Sequence, residues 1–178
     1  MIAIPYFSGA GHTAKLAQAI ADGAGHARAI DIEAMSEADW AAMDAASAIV
    51  FGAPTYMGSV AARYSAFLED AAGPRWMELA WADKLAGGFT VASHGSGDKG
   101  VALQRLNTFA AQMGMIWVGQ AEIGAPVFPE RAGINTDGSW LGLMATSSRD
   151  KSDLIAPGYL DTAYRYGARI AGAVARWG

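Results

Sequence analysis

The sequence alternates between short apolar runs and longer stretches with helical periodicity, and this alternation constrains the fold more than any other feature. Apolar runs without regular polar residues are typical of strands that are covered on both faces. Repeated strand–helix alternation predicts an all-parallel sheet with helices on both faces. The predicted strands are residues 1–7, 27–32, 48–52, 85–93 and 115–120; the predicted helices are residues 12–24, 60–72, 101–113 and 159–177, with a short one starting at Ser36.

Right-handed crossovers between such strands give a three-layer, doubly wound α/β fold. The length of 178 residues fits one domain, so we predict a single domain over residues 1–178. Pro5 cannot donate to a strand ladder, and we therefore expect a local irregularity in the first strand.

Composition excludes several kinds of site. The chain has no cysteine, which excludes disulfides, thiolate metal sites and cysteine nucleophiles. Its net charge of −4, without a Lys/Arg cluster, indicates no nucleic-acid partner. We find neither a signal peptide nor an apolar run long enough to span a bilayer, which predicts a cytoplasmic protein. The spacing of His12, His26 and His94 predicts no metal site.

The first predicted strand leads into a helix through a glycine-rich connection. Glycines let the backbone approach a phosphate closely, and the free N–H groups of a helix start favour negative charge. The connection lacks the Gly-Lys-Ser/Thr ending of a nucleotide P-loop and the last glycine of the dinucleotide fingerprint. A tight turn with a helix cap is the alternative interpretation. The residues concerned are Ser8, Gly9, Ala10, Gly11, His12 and Thr13.

Two further connections leave carboxyl ends of predicted strands, where open parallel sheets bind ligands. The third strand is followed by an aromatic and a methionine among small residues, namely Pro54, Thr55, Tyr56, Met57 and Gly58. The fourth is followed by a polar, glycine-rich loop made of Ser93, His94, Gly95, Ser96, Gly97 and Asp98. Each alone is also compatible with an ordinary surface loop. Together with the first connection they would surround one ligand with a phosphate, a flat ring and a polar ring edge, and FMN has all three.

A long connection over residues 123–156 interrupts the regular pattern and is rich in glycine. Loops of this length in a domain are uncommon and usually functional. We expect it to follow the fifth strand and to fold over the site. Trp76 and Trp140 lie in segments expected near the flavin, which makes them candidates for substrate contact.

Two of these stretches, residues 6–13 and the Gly-x-Pro-Thr-x-x-Gly pattern of residues 52–58, resemble the flavodoxin-like superfamily, especially the WrbA-type NAD(P)H:quinone oxidoreductases. The resemblance implies a five-stranded parallel sheet of order 2-1-3-4-5. It implies that the first connection holds the FMN phosphate, that the second lies along the ring and ribityl chain, and that the third contacts the polar edge of the ring. It also places Trp76 in a quinone and nicotinamide pocket, and implies a homo-oligomer.

The resemblance predicts an FMN-dependent oxidoreductase that takes hydride from NAD(P)H and reduces a small quinone-like acceptor, with no catalytic side chain because hydride transfer is the cofactor's chemistry. Two alternatives stay open. A flavodoxin-type single-electron carrier is disfavoured by the modest acidity of the chain and by Lys99, expected beside the flavin. A non-catalytic flavin-binding module is suggested by Ala10, Tyr56 and Gln112, which depart from the WrbA type.

Overall fold

A seven-stranded sheet forms the centre of the computed structural model, which describes residues 1–148 and 153–177. The strands are β1 (Ile2–Tyr6), β2 (Ala27–Asp31), β3 (Ala48–Tyr56), β4 (Ser59–Val60), β5 (Leu85–Ala92), β6 (Ile116–Trp117) and β7 (Leu143–Thr146). The helices are α1 (His12–Ala24), α2 (Glu37–Ala45), α3 (Ala62–Met77), α4 (Lys99–Gln112) and α5 (Pro157–Trp177), with short 3-10 turns at Ile32–Ala34 and Pro129–Arg131.

The main path through the sheet runs β2-β1-β3-β5-β6, and its neighbouring strands are parallel. The five predicted strands lie along this path, which confirms a flavodoxin-like parallel sheet. The predicted total of five is wrong, because β4 and β7 pair with β3 and β5 off the path. β4 returns antiparallel to β3 after Met57 and Gly58, whose φ angles of 50° and 89° make a tight turn. A two-residue strand leaves no periodic pattern in a sequence.

The outer strand is interrupted rather than followed by the long connection. β6 pairs with the start of β5, where Ile116 lies opposite Leu85, and β7 pairs with its end, where Leu143 lies opposite Phe89. Residues 118–142, here called the insertion, leave the sheet between these two short strands. The predicted strand over residues 115–120 therefore ends at Trp117. The second half of the outer strand is β7, whose residues show no strand periodicity in the sequence.

Alternate residues of the central strands face two separate apolar layers, as expected for strands covered on both sides. Ile2 and Ile4 of β1 pack with α1 and α5, whereas Ala3 belongs to the layer with α2, α3 and α4. α1 and α5 cross closely at two glycines. A Cβ on Gly23 would overlap the carbonyl of Tyr164, and one on Gly167 would overlap the carbonyl of Ile20.

The irregularity expected at Pro5 is a tyrosine hydroxyl placed between two strands. The buried Tyr64 hydroxyl accepts from the Gly52 amide at 2.9 Å and donates to the Pro5 carbonyl at 2.7 Å. Burial raises the pKa of Tyr64 well above its usual value, so the hydroxyl keeps the proton that it donates. Tyr166 makes the same bridge between Gly88 of β5 and Val118, where the outer strand breaks off.

Candidate functional site

The three connections singled out in the sequence meet at the carboxyl ends of β1, β3 and β5. They enclose a pocket of about 130 Å³ at the edge where parallel sheets bind ligands. Nine of the predicted cofactor-binding residues line it. The full lining is Ser8, Gly9, Ala10, His12, Thr13, Pro54, Thr55, Tyr56, Val91, Ala92, Ser93 and Ser147.

The Ser8 side chain shapes the first connection. Its Oγ accepts hydrogen bonds from the Gly11 amide at 3.1 Å and from the Ala14 amide at 3.2 Å. Gly11 has φ +91°, a left-handed conformation in which glycine carries no steric penalty. The chain thus turns sharply into α1, and Gly11 itself supports the pocket without lining it.

The start of α1 offers free donors to a ligand. Among the described residues, the amides of His12 and Thr13 have no hydrogen-bond acceptor, as expected for the first turn of a helix. No lysine or arginine is among the lining residues that the structure describes. Attraction for an anion at this pocket therefore comes from backbone N–H groups and the helix dipole, with the His12 imidazole alongside.

The second segment forms the end of a strand rather than a loop. β3 extends through Pro54, Thr55 and Tyr56, and so carries these side chains directly to the pocket. The Tyr56 hydroxyl lies so close to Gly9 that a Cβ there would overlap it. The Tyr56 ring meets Phe7 edge-to-face, with 6.4 Å between the ring centroids. Met57 and Gly58 lie outside the lining, at the tip of the turn, and the Met57 side chain is fully exposed.

The third segment reaches the pocket only through Ser93. His94, Gly95, Ser96, Gly97 and Asp98 continue as a loop at the surface and do not line the pocket. Gly97 and Asp98 have φ angles of +31° and +56°, which bend the chain into α4. Within the described part of the chain, the loop side chains of Ser93, His94, Ser96 and Asp98 make no hydrogen bond. They are free to meet a ligand.

Lys99 does not lie beside the flavin site as an exposed charge. Its side chain is 1% exposed, forms an ion pair with Asp137 and donates to Thr146 Oγ1 at 2.7 Å. Lys99 was expected beside the flavin, but it is not among the residues that line the pocket, and the sequence gives no sign that Asp137, in the insertion, packs against α4 and pairs with it. Lys99, paired with Asp137, therefore does not disfavour an electron carrier.

The structure does not bring Trp76 or Trp140 to the pocket. Trp76 lies near the end of α3, beyond a kink at Gly73, whose φ of +27° interrupts the helix that starts near the site. Trp140 lies in the insertion, where its carbonyl accepts from the Gln120 amide at 2.9 Å. Both side chains are about half exposed.

The insertion lies at the edge of the sheet and not over the pocket, since none of residues 118–142 is among the lining. Asn135 organises it: the side-chain amide donates to the Glu122 carbonyl at 2.9 Å and its oxygen accepts from the Ser139 amide at 3.0 Å. The segment after β7, which also belongs to the predicted connection over residues 123–156, does reach the pocket, through Ser147. Ser147 itself was not singled out, because no motif marks it.

A larger groove of about 520 Å³ lies at the other end of the sheet. It is lined by Leu85, Trp117 and Trp177 together with the exposed side of α5. Leu85 begins β5, so the groove opens at the amino ends of the strands, away from the three connections. Over the residues that the structure describes, no group of His, Asp and Glu could hold a metal ion, and no helix is both long and apolar enough to cross a membrane.

Three comparisons agree with this architecture. A family model described as NADPH-dependent FMN reductase matches residues 37–130. The flavodoxin FldP of Pseudomonas aeruginosa is 41% identical over 173 residues, covering 94% of this chain and 93% of that protein. The flavodoxin, WrbA-like protein of Agrobacterium tumefaciens has a TM-score of 0.78 at 37% identity, covering 99% and 98% of the two chains.

A more distant structure shows the fold alone. The Fusobacterium nucleatum flavodoxin bound to flavin mononucleotide has a TM-score of 0.63 at 14% identity, covering 98% and 96% of the two chains. The likenesses in sequence extend over almost the whole chain, and the FMN reductase model covers more than half of it. The chain therefore belongs to the flavodoxin-like superfamily and to its family of NADPH-dependent FMN reductases, with similarity to the WrbA type.

Proposed function

We propose that the protein is an FMN-dependent oxidoreductase that takes hydride from NAD(P)H and reduces a small quinone-like acceptor. The observation that carries the proposal is the pocket at the carboxyl ends of β1, β3 and β5, which combines backbone donors with a flat aromatic wall. The cytoplasmic location and the homo-oligomeric state expected from the sequence stay predictions.

The residues present fit FMN. A phosphate needs close backbone approach and N–H donors, and the Ser8–Thr13 connection offers both. The Tyr56 hydroxyl occupies the space that a side chain at position 9 would need, so this arrangement of the connection requires glycine there. Pro54, Thr55 and Tyr56 would hold the ring and ribityl chain, and the loop from Ser93 to Asp98 would meet the polar edge of the ring.

The bound flavin would accept hydride and pass on electrons, which is chemistry that the cofactor brings with it. The protein would bind the flavin and orient it. Ser8 fixes the loop that receives the phosphate, and the apolar ends of β5, Val91 and Ala92, exclude water from one wall of the pocket. No side chain is required to act as an acid, a base or a nucleophile.

A single-electron carrier is the second candidate, and two observations favour it. The relative that is 41% identical is named a flavodoxin. Neither Trp76 nor Trp140 lines the pocket, so neither adds a wall for a second substrate there. Such a carrier would exchange electrons with partner proteins and would not need a nicotinamide site.

Stopped-flow spectroscopy of the purified, FMN-loaded protein separates the two functions. Bleaching of the flavin absorbance by NADH or NADPH, followed by reoxidation with benzoquinone, is the result expected for the oxidoreductase. Free FMN at the same concentration is the control for the uncatalysed reaction. A flavin that stays oxidised with both nucleotides but is reduced by a flavodoxin reductase would overturn the proposal in favour of the carrier.

A further inference from the structure

A polar cluster adjoins the pocket through Thr146, which precedes the lining residue Ser147, and has a buried ion pair at its centre. It consists of Lys99, Asp137, Thr146 and Tyr159, and is here called the Lys99 cluster. Asp137 pairs with Lys99, accepts from the Tyr159 hydroxyl at 2.9 Å, and accepts from Thr146 Oγ1 at 3.1 Å. The four residues come from the first turn of α4, the insertion, the end of β7 and the start of α5. One carboxylate thus joins four separate elements, with Lys99 38 residues away from Asp137 along the chain.

Stability alone does not account for this cluster. Desolvating a lysine and a carboxylate costs several kcal/mol per ion in general, and apolar residues of similar size often stabilise a protein as well or better. A fully hydrogen-bonded buried network does specify one arrangement of the segments that it joins. The place where that arrangement matters is the pocket.

Two chain segments at the pocket, the loop Ser93–Asp98 and the segment at Ser147, are each next in sequence to a residue of the Lys99 cluster. Lys99 follows the loop Ser93–Asp98, and Thr146 precedes Ser147, which lines the pocket and donates its amide to the Ala92 carbonyl at 2.8 Å. The side chains of that loop have no hydrogen bonds within the described residues. The loop is therefore held at its two ends, by β5 on one side and by the Lys99 side chain on the other.

From this arrangement we infer that the Lys99–Asp137 ion pair is a positioning element for the flavin ring. It fixes the loop Ser93–Asp98 at the edge of the pocket and makes the insertion, through Asp137, contribute to cofactor affinity although it does not touch the pocket. The inference rests on the proposed FMN site. The insertion would thus support the site from the side, through Asp137, and not by folding over it as the sequence predicted.

The test compares the affinities for FMN and riboflavin of the full-length protein and its variants, measured by quenching of flavin fluorescence. The double variant Lys99→Met/Asp137→Asn removes both charges without leaving one unpaired. We expect it to bind FMN and riboflavin about tenfold more weakly, the scale of one lost charge-assisted hydrogen bond. The ratio of the two dissociation constants stays at the wild-type value, because the loop meets the ring and not the phosphate.

Ser8→Ala serves as the comparison at the phosphate end, and it weakens FMN binding more than riboflavin binding. Asp44→Asn breaks another ion pair, with Arg75, at the opposite end of the sheet. It lowers Tm but leaves both dissociation constants unchanged. Tyr159→Phe keeps both charges of the Lys99 cluster, so it serves as the test if the double variant does not fold. We expect it to weaken the binding of FMN and of riboflavin by a smaller factor than the double variant, with the ratio of the two dissociation constants unchanged.

Variants of the Lys99 cluster that lose only thermal stability, with both flavin affinities at the wild-type value, would overturn the inference and leave the proposed function intact. A wild-type protein that binds no FMN would overturn both. A wild-type protein that binds FMN but is not reduced by NAD(P)H would remove only the proposed enzymatic activity, since the positioning of the ring does not depend on the electron donor.

Discussion

Single hydroxyl groups complete strand pairing at two places in the sheet. Tyr64 bridges β1 to β3 and Tyr166 bridges β5 to the residue after β6, each accepting from one backbone amide and donating to one carbonyl. Both side chains are fully buried. A buried backbone group without a hydrogen-bond partner costs more free energy than an average hydrogen bond contributes. These hydroxyls therefore stabilise the fold beyond the apolar contacts of their rings.

Tyr64→Phe removes one oxygen and leaves the Gly52 amide and the Pro5 carbonyl without their partner. We expect the free energy of unfolding to fall by about 1–3 kcal/mol, measured by urea denaturation. Tyr164→Phe, which removes a hydroxyl from a half-exposed ring on α5, is the matched control and changes it little. Equal effects of the two substitutions would contradict the bridging role.

Asp44 ties the end of α2 to α3 and to Trp81. Arg75 donates to both carboxylate oxygens at 2.7 and 3.0 Å, and the Trp81 indole donates to one of them at 2.8 Å. The hydrogen bond from Arg75, the one from Trp81 and the nearby charges of Arg75 and Lys84 hold the pKa of Asp44 below its ordinary 3.8, against the opposing effect of burial. The folded state therefore favours the ionised form.

A lowered folded-state pKa stabilises the protein above the unfolded value, and this contribution is lost as the pH falls through the folded-state value. We expect Asp44→Asn to lower Tm at neutral pH. The gap in Tm from the wild type stays constant down to about pH 5 and shrinks as the pH falls below 3.8. Asp161→Asn, on an exposed i,i+4 pair with Arg165, is the control. A gap that does not depend on pH would show that the carboxylate charge is not the cause.

At the scale of elements, the crossing of α1 and α5 depends on the absence of side chains. The two helices cover one face of the sheet, and their backbones approach each other at Gly23 and Gly167. α5 also carries Gly172, whose Cβ position is in open space. The same helix therefore holds one glycine that packing requires and one that it does not.

Gly167→Ala places a methyl group against the Ile20 carbonyl, and separating the helices to admit it costs about 1–3 kcal/mol. Gly172→Ala meets nothing and gains helix propensity, about 0.5–1 kcal/mol. We expect opposite shifts of Tm, measured by circular dichroism on the two variants in parallel. A destabilised Gly172→Ala variant would mean that this face of α5 is covered.

Strand and helix periodicity was enough to predict most elements, because buried strands and amphipathic helices leave strong patterns. It could not predict β7, since residues 143–146 acquire their strand conformation from pairing with β5 and not from their own composition. The pocket followed from the glycine-rich connections and the rule for parallel sheets. Ser147 and the partner of Lys99 depended on contacts between distant segments, which one sequence does not reveal.

The whole molecule should respond to its cofactor as one unit, because the pocket is built from the ends of three central strands. Ligands that bind only the folded state stabilise it by mass action, by about 2.7 kcal/mol at a hundredfold excess over Kd. For a chain of this size that is a rise in Tm of roughly 5–10 °C. We expect FMN to give this shift in differential scanning fluorimetry.

Riboflavin is the matched ligand for this measurement, since it has the same ring without the phosphate. At equal concentration it should raise Tm less than FMN, because it leaves the donors of the Ser8–Thr13 connection unused. Equal shifts would place the phosphate outside that connection.

Because the outer strand is interrupted, the residues that line the pocket are synthesised at widely separated times. The pocket is lined by Ser8 from the first connection and by Ser147 after β7, and α1 packs against both the sheet and α5. Chains emerge from the ribosome amino end first, at about 5–20 residues per second. A nascent chain that already carries the complete Ser8–Thr13 connection therefore still lacks part of the pocket wall, and we expect FMN to bind only after residue 147 has been made.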